Sequence, residues 1–85
     1  MQFEVIEVRS YAGYKGNERP VSFSLSGREY HIVEIIDRWY EGSAHSFMPL
    51  LNYFKVKADD GGLHIIRYNR LFDKWSLVIQ DSLEG

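Results

Sequence analysis

Hydrophobic and polar residues alternate with a period of two along most of this chain, the pattern of half-buried β-strands. The clearest case is Val21 to Ser26, where Val21, Phe23 and Leu25 oppose Ser22, Ser24 and Ser26. This predicts a strand with one wet face. Ser26-Gly27-Arg28 then supplies a hairpin turn, since Gly27 tolerates positive φ. A Ser26-Gly27 loop sets Phe23 opposite Tyr30 and Val21 opposite Ile32, whereas a Gly27-Arg28 loop sets Leu25 opposite Tyr30. Both registers keep the apolar residues on one face.

Glu29 to Tyr40 continues as a long strand whose alternation fails at Val33, Ile35 and Ile36. A strand that changes face in this way bends around a small barrel and serves two sheets. Ile32, Ile35, Ile36 and Trp39 also fit helical spacing, so Val33 to Tyr40 admits a part-helical reading. Leu50 to Ala58 predicts a strand with Asn52, Phe54, Val56 and Ala58 on one face and Leu51, Tyr53, Lys55 and Lys57 on the other. Asp59-Asp60-Gly61-Gly62 is a turn, and a two-residue Asp60-Gly61 loop puts Val56 opposite Ile65 and Tyr53 opposite Tyr68. Leu63 to Asn69 returns, and Trp75 to Gln80 is the last strand after a turn at Phe72-Asp73-Lys74. At the other end, Gln2 to Arg9 carries Phe3 and Val5 on one face and Ile6 and Val8 on the other. That switch implies a bulge near Val5-Ile6 or burial on both sides. Ser10 to Arg19 and Glu41 to Pro49 are the longer loops. The expected fold is all-β: one domain over residues 1–85, a small six-stranded antiparallel barrel, partly open, or a strongly bent sheet.

Composition sharpens this. Seven Ile, six Val and thirteen aromatics against three Ala favour a pleated, half-buried surface over helix. A net charge of −2 argues against a protein built mainly to neutralise phosphates. With no cysteine there is no disulfide, thiolate metal site or cysteine nucleophile. Met1-Gln2-Phe3-Glu4 lacks the basic and apolar regions of a secretion signal, and no apolar run is long enough for a membrane helix. A cytoplasmic location is the expectation.

The candidate chemistry is that of binding. Asp37-Arg38-Trp39-Tyr40 and Tyr68-Asn69-Arg70, the latter followed by Asp73-Lys74-Trp75, set arginine and tryptophan at the ends of strand-like runs. Tyr53, Lys55 and Lys57, with His64 and Tyr68 across the hairpin, would form an aromatic and basic face on which bases can stack while amines meet phosphate. Arg38, Arg67 and Arg70 extend it only if the barrel brings them to the same side. Phe47 and Met48, in the loop before Pro49, are adaptable apolar contacts for a protein partner, or a cap on the barrel end. Trp39 and Trp75 read as core or rim packing. His31, His45 and His64 lack the close pairing of metal ligands, and His31 and His64 read as solvated. Ser22, Ser24 and Ser26 are explained by the wet face, Asp59 and Asp60 by the turn, and Asp37 and Glu41 by ion pairing. No nucleophile elbow or phosphate loop is present. No catalytic residue, metal or cofactor is expected.

Arg19-Pro20 with Phe23, Gly27-Arg28 with Tyr30 and Ile32-Val33, Asp37-Arg38-Trp39, and Lys74-Trp75-Ser76-Leu77-Val78 together resemble a small bacterial family of unknown function. The resemblance implies an association with DNA-repair polymerase accessory proteins and assigns no catalytic residues. The expected function is a non-catalytic binding or protein-interaction module with an unidentified protein partner. The alternative is a nucleic-acid-binding accessory domain linked to DNA repair. The chain is expected as a monomer, or as a homodimer through an exposed edge strand, Gln2 to Arg9 or Trp75 to Gln80.

Overall fold

Six strands form where the alternation predicts them. The computed structural model describes residues 2–12, 18–41 and 51–79. They comprise β1 (Gln2–Ala12), β2 (Glu18–Leu25), β3 (Arg28–Glu41), β4 (Leu51–Ala58), β5 (Leu63–Asn69) and β6 (Lys74–Ile79). Each strand runs antiparallel to the next, and β1 returns to pair with β6, closing a barrel in the order of the chain. Among the described residues no helix is long and apolar enough to cross a membrane.

Two long strands make the corners. β1 pairs with β6 through Gln2 to Ile6 and with β2 through Glu7 to Ala12. β3 pairs with β2 through Arg28 to His31 and with β4 from Ile32 to Glu41. The change of partner bends the sheet without a loop. Closure also leaves β6 paired on both sides and divides β1 between two neighbours, so the edge-strand dimer expected of them has no open strand along β6.

β3 is strand throughout, and the part-helical reading falls. Its register shifts between Ile32 and Glu34 and again between Ile35 and Asp37, leaving Val33 and Ile36 as exposed extra residues. Each bulge makes the inward position advance by three residues, so Ile32, Ile35 and Arg38 share the interior side at a spacing that imitates a helix. In β1 the register shift lies between Arg9 and Ser10, not near Val5-Ile6. Phe3 and Val5 simply point out while Ile6 points in, and Val5 is exposed. The expected Ser10–Arg19 loop is narrower, because Tyr11 pairs with Arg19.

The β2–β3 hairpin takes the Ser26-Gly27 register. Both residues have positive φ, 53° and 77°, as a type I′ turn requires. Phe23 then stacks on Tyr30 at 5.1 Å. The β4–β5 hairpin departs from expectation. Gly61 alone takes positive φ, 84°, and the Ala58 and Gly62 backbones close a three-residue loop, with Gly61 N donating to Ala58 O at 2.9 Å. The extra residue slips the register by one: Val56 faces His64, Tyr53 faces Arg67, and Tyr68 faces Asn52. A slip of one exchanges the two faces of the returning strand. Nothing lies within 4 Å of a Cβ built on Gly61, so the φ alone is the obstacle to a side chain there. Gly61→Ala is expected to cost about 1–2 kcal/mol, a fall of roughly 4–16 °C in thermal midpoint. An unchanged midpoint would show the turn free to readjust.

The interior is filled by Ile6, Phe23, Phe54, Val56, Ile66, Trp75 and Leu77. Ile35, Tyr68 and Ile79 pack around them. Ser22, expected on a wet face, is buried and donates to Glu29 Oε2 at 3.0 Å. It lies between Arg9 and His31 in the ladder.

Candidate functional site: the outer wall

On the outside of the wall formed by β3, β4, β5, β6 and the first half of β1, cross-strand register assembles two rows. One runs Trp39, Tyr53, Arg67, Ser76, Val5, and the other Asp37, Lys55, Ile65, Val78, Phe3. Residues directly opposite share a face, so both rows point away from the core.

The rows pack on one another. Trp39 lies flat on Tyr53, with ring centroids 5.3 Å apart and planes within 4°. The Arg67 guanidinium sits 3.8 Å above the Phe3 ring, a cation–π contact that reaches across β6. Tyr53 Oη donates to Glu41 Oε1 at 2.9 Å. Tyr53 (8 % exposed) and Val78 (7 %) are therefore buried although they belong to the outside of the barrel. Phe3 and Trp39, at the two ends, remain 41 % and 36 % exposed. Between them lies a groove of about 420 Å³ lined by Phe3, Trp39, Glu41, Tyr53, Ile65, Arg67 and Val78. A second hollow of about 320 Å³ is lined by Lys55, Leu63, His64, Ile65 and Val78. The two share Ile65 and Val78 at their borders.

Burial raises the Tyr53 phenol above its ordinary value near 10, and the hydrogen bond to Glu41 adds to the rise. The Arg67 guanidinium opposes it. A raised native value means that the folded state holds the proton more tightly than the unfolded chain. The resulting stabilisation is complete below pH 10 and lost as pH climbs through the raised value. Tyr53→Phe is expected to cost about 1 kcal/mol at neutral pH and to flatten the fall in thermal midpoint above pH 10. An identical alkaline profile in the variant would contradict this.

The residues expected to form a basic and aromatic face are divided. Tyr53, Lys55 and Lys57 point outward as expected, and Arg67 joins them. Tyr68 does not: the register slip turns it inward, where its ring meets Trp75 at 4.8 Å and its hydroxyl donates to Asp73 Oδ1 at 2.7 Å. The same slip moves His64 off the solvated side expected for it, against Phe23 at 5.2 Å and Tyr30 at 5.8 Å. Arg38 lies opposite Phe54 on the interior side, its guanidinium 4.8 Å from the Phe54 ring and 5.2 Å from that of Tyr40. Arg70 is exposed in the turn after β5, off the wall. His45, Phe47 and Met48 fall outside the described residues. Trp75 is core, whereas Trp39, expected to be core or rim, stands on the outer wall.

The ladder also places carboxylates beside the cations. Glu34 is opposite Lys57 and Asp37 opposite Lys55. With Glu41, the three acids match Lys55, Lys57 and Arg67, so the wall is close to neutral. Among the described residues no group of three or more His, Asp or Glu side chains is placed to hold a metal ion. Phe3, Trp39, Ile65 and Val78 were not anticipated as site residues. Their signal in the sequence is a second set of apolar positions, on the face that the first set assigns to solvent. Comparison with family models, with curated proteins and with solved structures found no significant match.

Proposed function

We propose that this domain is a non-catalytic protein-interaction module whose contact surface is the outer wall of β3, β4, β5, β6 and β1. The cluster of Trp39, Tyr53 and Arg67 from one row with Phe3 from the other is the observation that carries the reading. The interior is already filled, yet the wall sets aromatic, aliphatic and arginine side chains together around a groove. Aromatic and arginine anchors dominate the binding energy of protein interfaces, and clustered exposed apolar groups mark such surfaces. The lack of cysteine is compatible with a reducing cytoplasm, and a bacterial setting rests on the resemblance alone.

The test uses single cysteines, which the cysteine-free chain accepts as unique handles. A photo-crosslinker at Leu63→Cys, on the wall, is expected to capture a discrete protein partner in cell extract. The same group at Tyr11→Cys, where β1 pairs with β2, is not. Equal capture from both positions, or none, would count against the wall.

Nucleic acid remains the second reading because Tyr53, Lys55, Lys57 and Arg67 do share the wall. It is the weaker one. Glu34 and Asp37 face the two lysines, and one face of Tyr53 is covered by Trp39. Labelled single-stranded DNA is expected to bind weakly even at low salt. Steeply salt-dependent binding that Lys55→Glu with Lys57→Glu abolishes would reverse the order of the two readings.

A further inference from the structure

We infer that an extended segment of a partner protein adds as a further strand along β1 from Gln2 to Ile6, with apolar side chains beside Phe3 and Val5 and a lysine or arginine opposite Glu4. This rests on the outer wall being a contact face, of which β1 is one border. From Gln2 to Ile6, β1 pairs with β6 on one side and, among the described residues, with nothing on the other. Every second residue there turns its N–H and C=O to the open side. A strand laid along that side gains main-chain hydrogen bonds, and its alternate side chains supply specificity.

Of the wall's two borders, β1 is the unguarded one. β3 is also open on one side from Ile32 to Glu41. Its ladder is interrupted by the bulges at Val33 and Ile36, and its Arg38 N–H already donates to Asp37 Oδ1 at 2.8 Å. Bulges of that kind keep further strands from adding to an edge. Gln2 to Ile6 holds no bulge, lysine or proline. Its outward side chains, Phe3 and Val5, end the wall's two rows and are both exposed. An added strand therefore continues those rows with residues of the same apolar kind.

Charge selects the occupant. Glu4 stands opposite Leu77 and has no hydrogen bond or ion pair among the described residues. Asp37, on the other border, stands opposite Lys55. Two copies of this chain joined antiparallel along the whole of Gln2 to Ile6 would set Glu4 against Glu4, and like charges directly opposite destabilise a strand pair. A foreign segment with a cation at that place replaces the repulsion by attraction.

The heptapeptide Ser-Thr-Val-Lys-Val-Thr-Ser, which reads alike in both directions, tests this with the full chain, beside a twin carrying Glu in place of Lys. Amide signals of the isotopically labelled domain are expected to shift at Gln2 to Ile6 on titration, with the Lys peptide about fivefold tighter than its twin. Glu4→Lys, a substitution at an exposed position, is expected to reverse that order. Methylating alternate peptide nitrogens separates a strand from a side-chain contact. One set faces β1 and its methylation is expected to abolish binding, whereas the other faces away and its methylation is expected to spare it. Equal binding of the two peptides, an order untouched by Glu4→Lys, shifts confined to other strands, no shifts, or equal loss from both methylated sets would each overturn the inference. So would a dimer of the domain alone joined through Gln2 to Ile6. If crosslinking at Leu63→Cys captures a partner while β1 stays silent, the contact face stands and the added strand falls. If crosslinking from the wall captures nothing, the contact face itself fails.

Discussion

Phe54→Ala is expected to remove about 3–5 kcal/mol of folding stability, the largest loss of any single substitution considered for this chain. Phe54 is fully buried at the centre of the barrel. Its ring packs near Trp75 at 5.8 Å and under the Arg38 guanidinium at 4.8 Å. Removing a buried phenyl ring costs about 3–5 kcal/mol, against a total of roughly 4–13 kcal/mol for a domain of this length. Arg38 loses its contact with the Phe54 ring in the same substitution and keeps the one with Tyr40. Val5→Ala, on the exposed outer wall, is expected to stay within about 0.5 kcal/mol. Urea denaturation of the two variants separates them. A loss below about 1 kcal/mol for Phe54→Ala would mean that the core lies elsewhere.

The second large effect is on binding. Phe3→Ser combined with Trp39→Ser removes the aromatic group at each end of the groove while leaving the interior cluster intact. Interface anchors of this kind contribute about 2 kcal/mol or more each. The double variant should therefore weaken the partner captured through Leu63→Cys by roughly a hundredfold or more. Trp39 also stacks on Tyr53 and Phe3 lies under Arg67, so the double variant loses some stability as well, and binding is compared at a temperature where both proteins are folded. Leu71→Ser with Phe72→Ser is the matched control. Those residues are also large, apolar and exposed, but they lie in the β5–β6 turn, away from the groove. The turn itself is held by Asn69 Oδ1, which accepts the backbone N–H groups of Leu71 and Phe72 at 3.0 and 3.2 Å. If the turn variant abolishes binding and the groove variant does not, the contact surface is the barrel end.

Much of the architecture was legible because period-two alternation carries its own geometry. Both faces of β4 follow from the sequence: Asn52, Phe54, Val56 and Ala58 are buried, and Lys55 and Lys57 point out. The bend in β3 was also foreseeable, since a broken alternation in a long strand has few structural solutions. Its helical alternative failed because two bulges give a strand the same three-residue spacing.

The site was harder to read, and one hairpin accounts for most of the difference. Asp59-Asp60-Gly61-Gly62 suits a two-residue or a three-residue loop, and adjacent Ile65 and Ile66 offer an apolar residue to the core in either register. The residues beyond them discriminate. The two-residue loop would have turned Leu63, Ile65 and Arg67 inward and set a second guanidinium beside Phe54, where that of Arg38 already lies. The observed register turns His64, Ile66 and Tyr68 inward and sends Arg67 out to Phe3. Weighing Arg67 against Tyr68 for the inward position would have identified the register. The pairing of Phe3 with Arg67 was not accessible in that way, because it depends on β1 closing against β6 at the far end of the chain.

The measurement that tests the contact face most directly is an amide chemical-shift map of the isotopically labelled domain, titrated with the partner captured through Leu63→Cys. The account predicts perturbations concentrated in the second half of β3, in β4, β5 and β6, and in the first half of β1, centred on Tyr53, Arg67 and Val78. Perturbations concentrated in β2, or in the β5–β6 turn, with that wall silent, would contradict it.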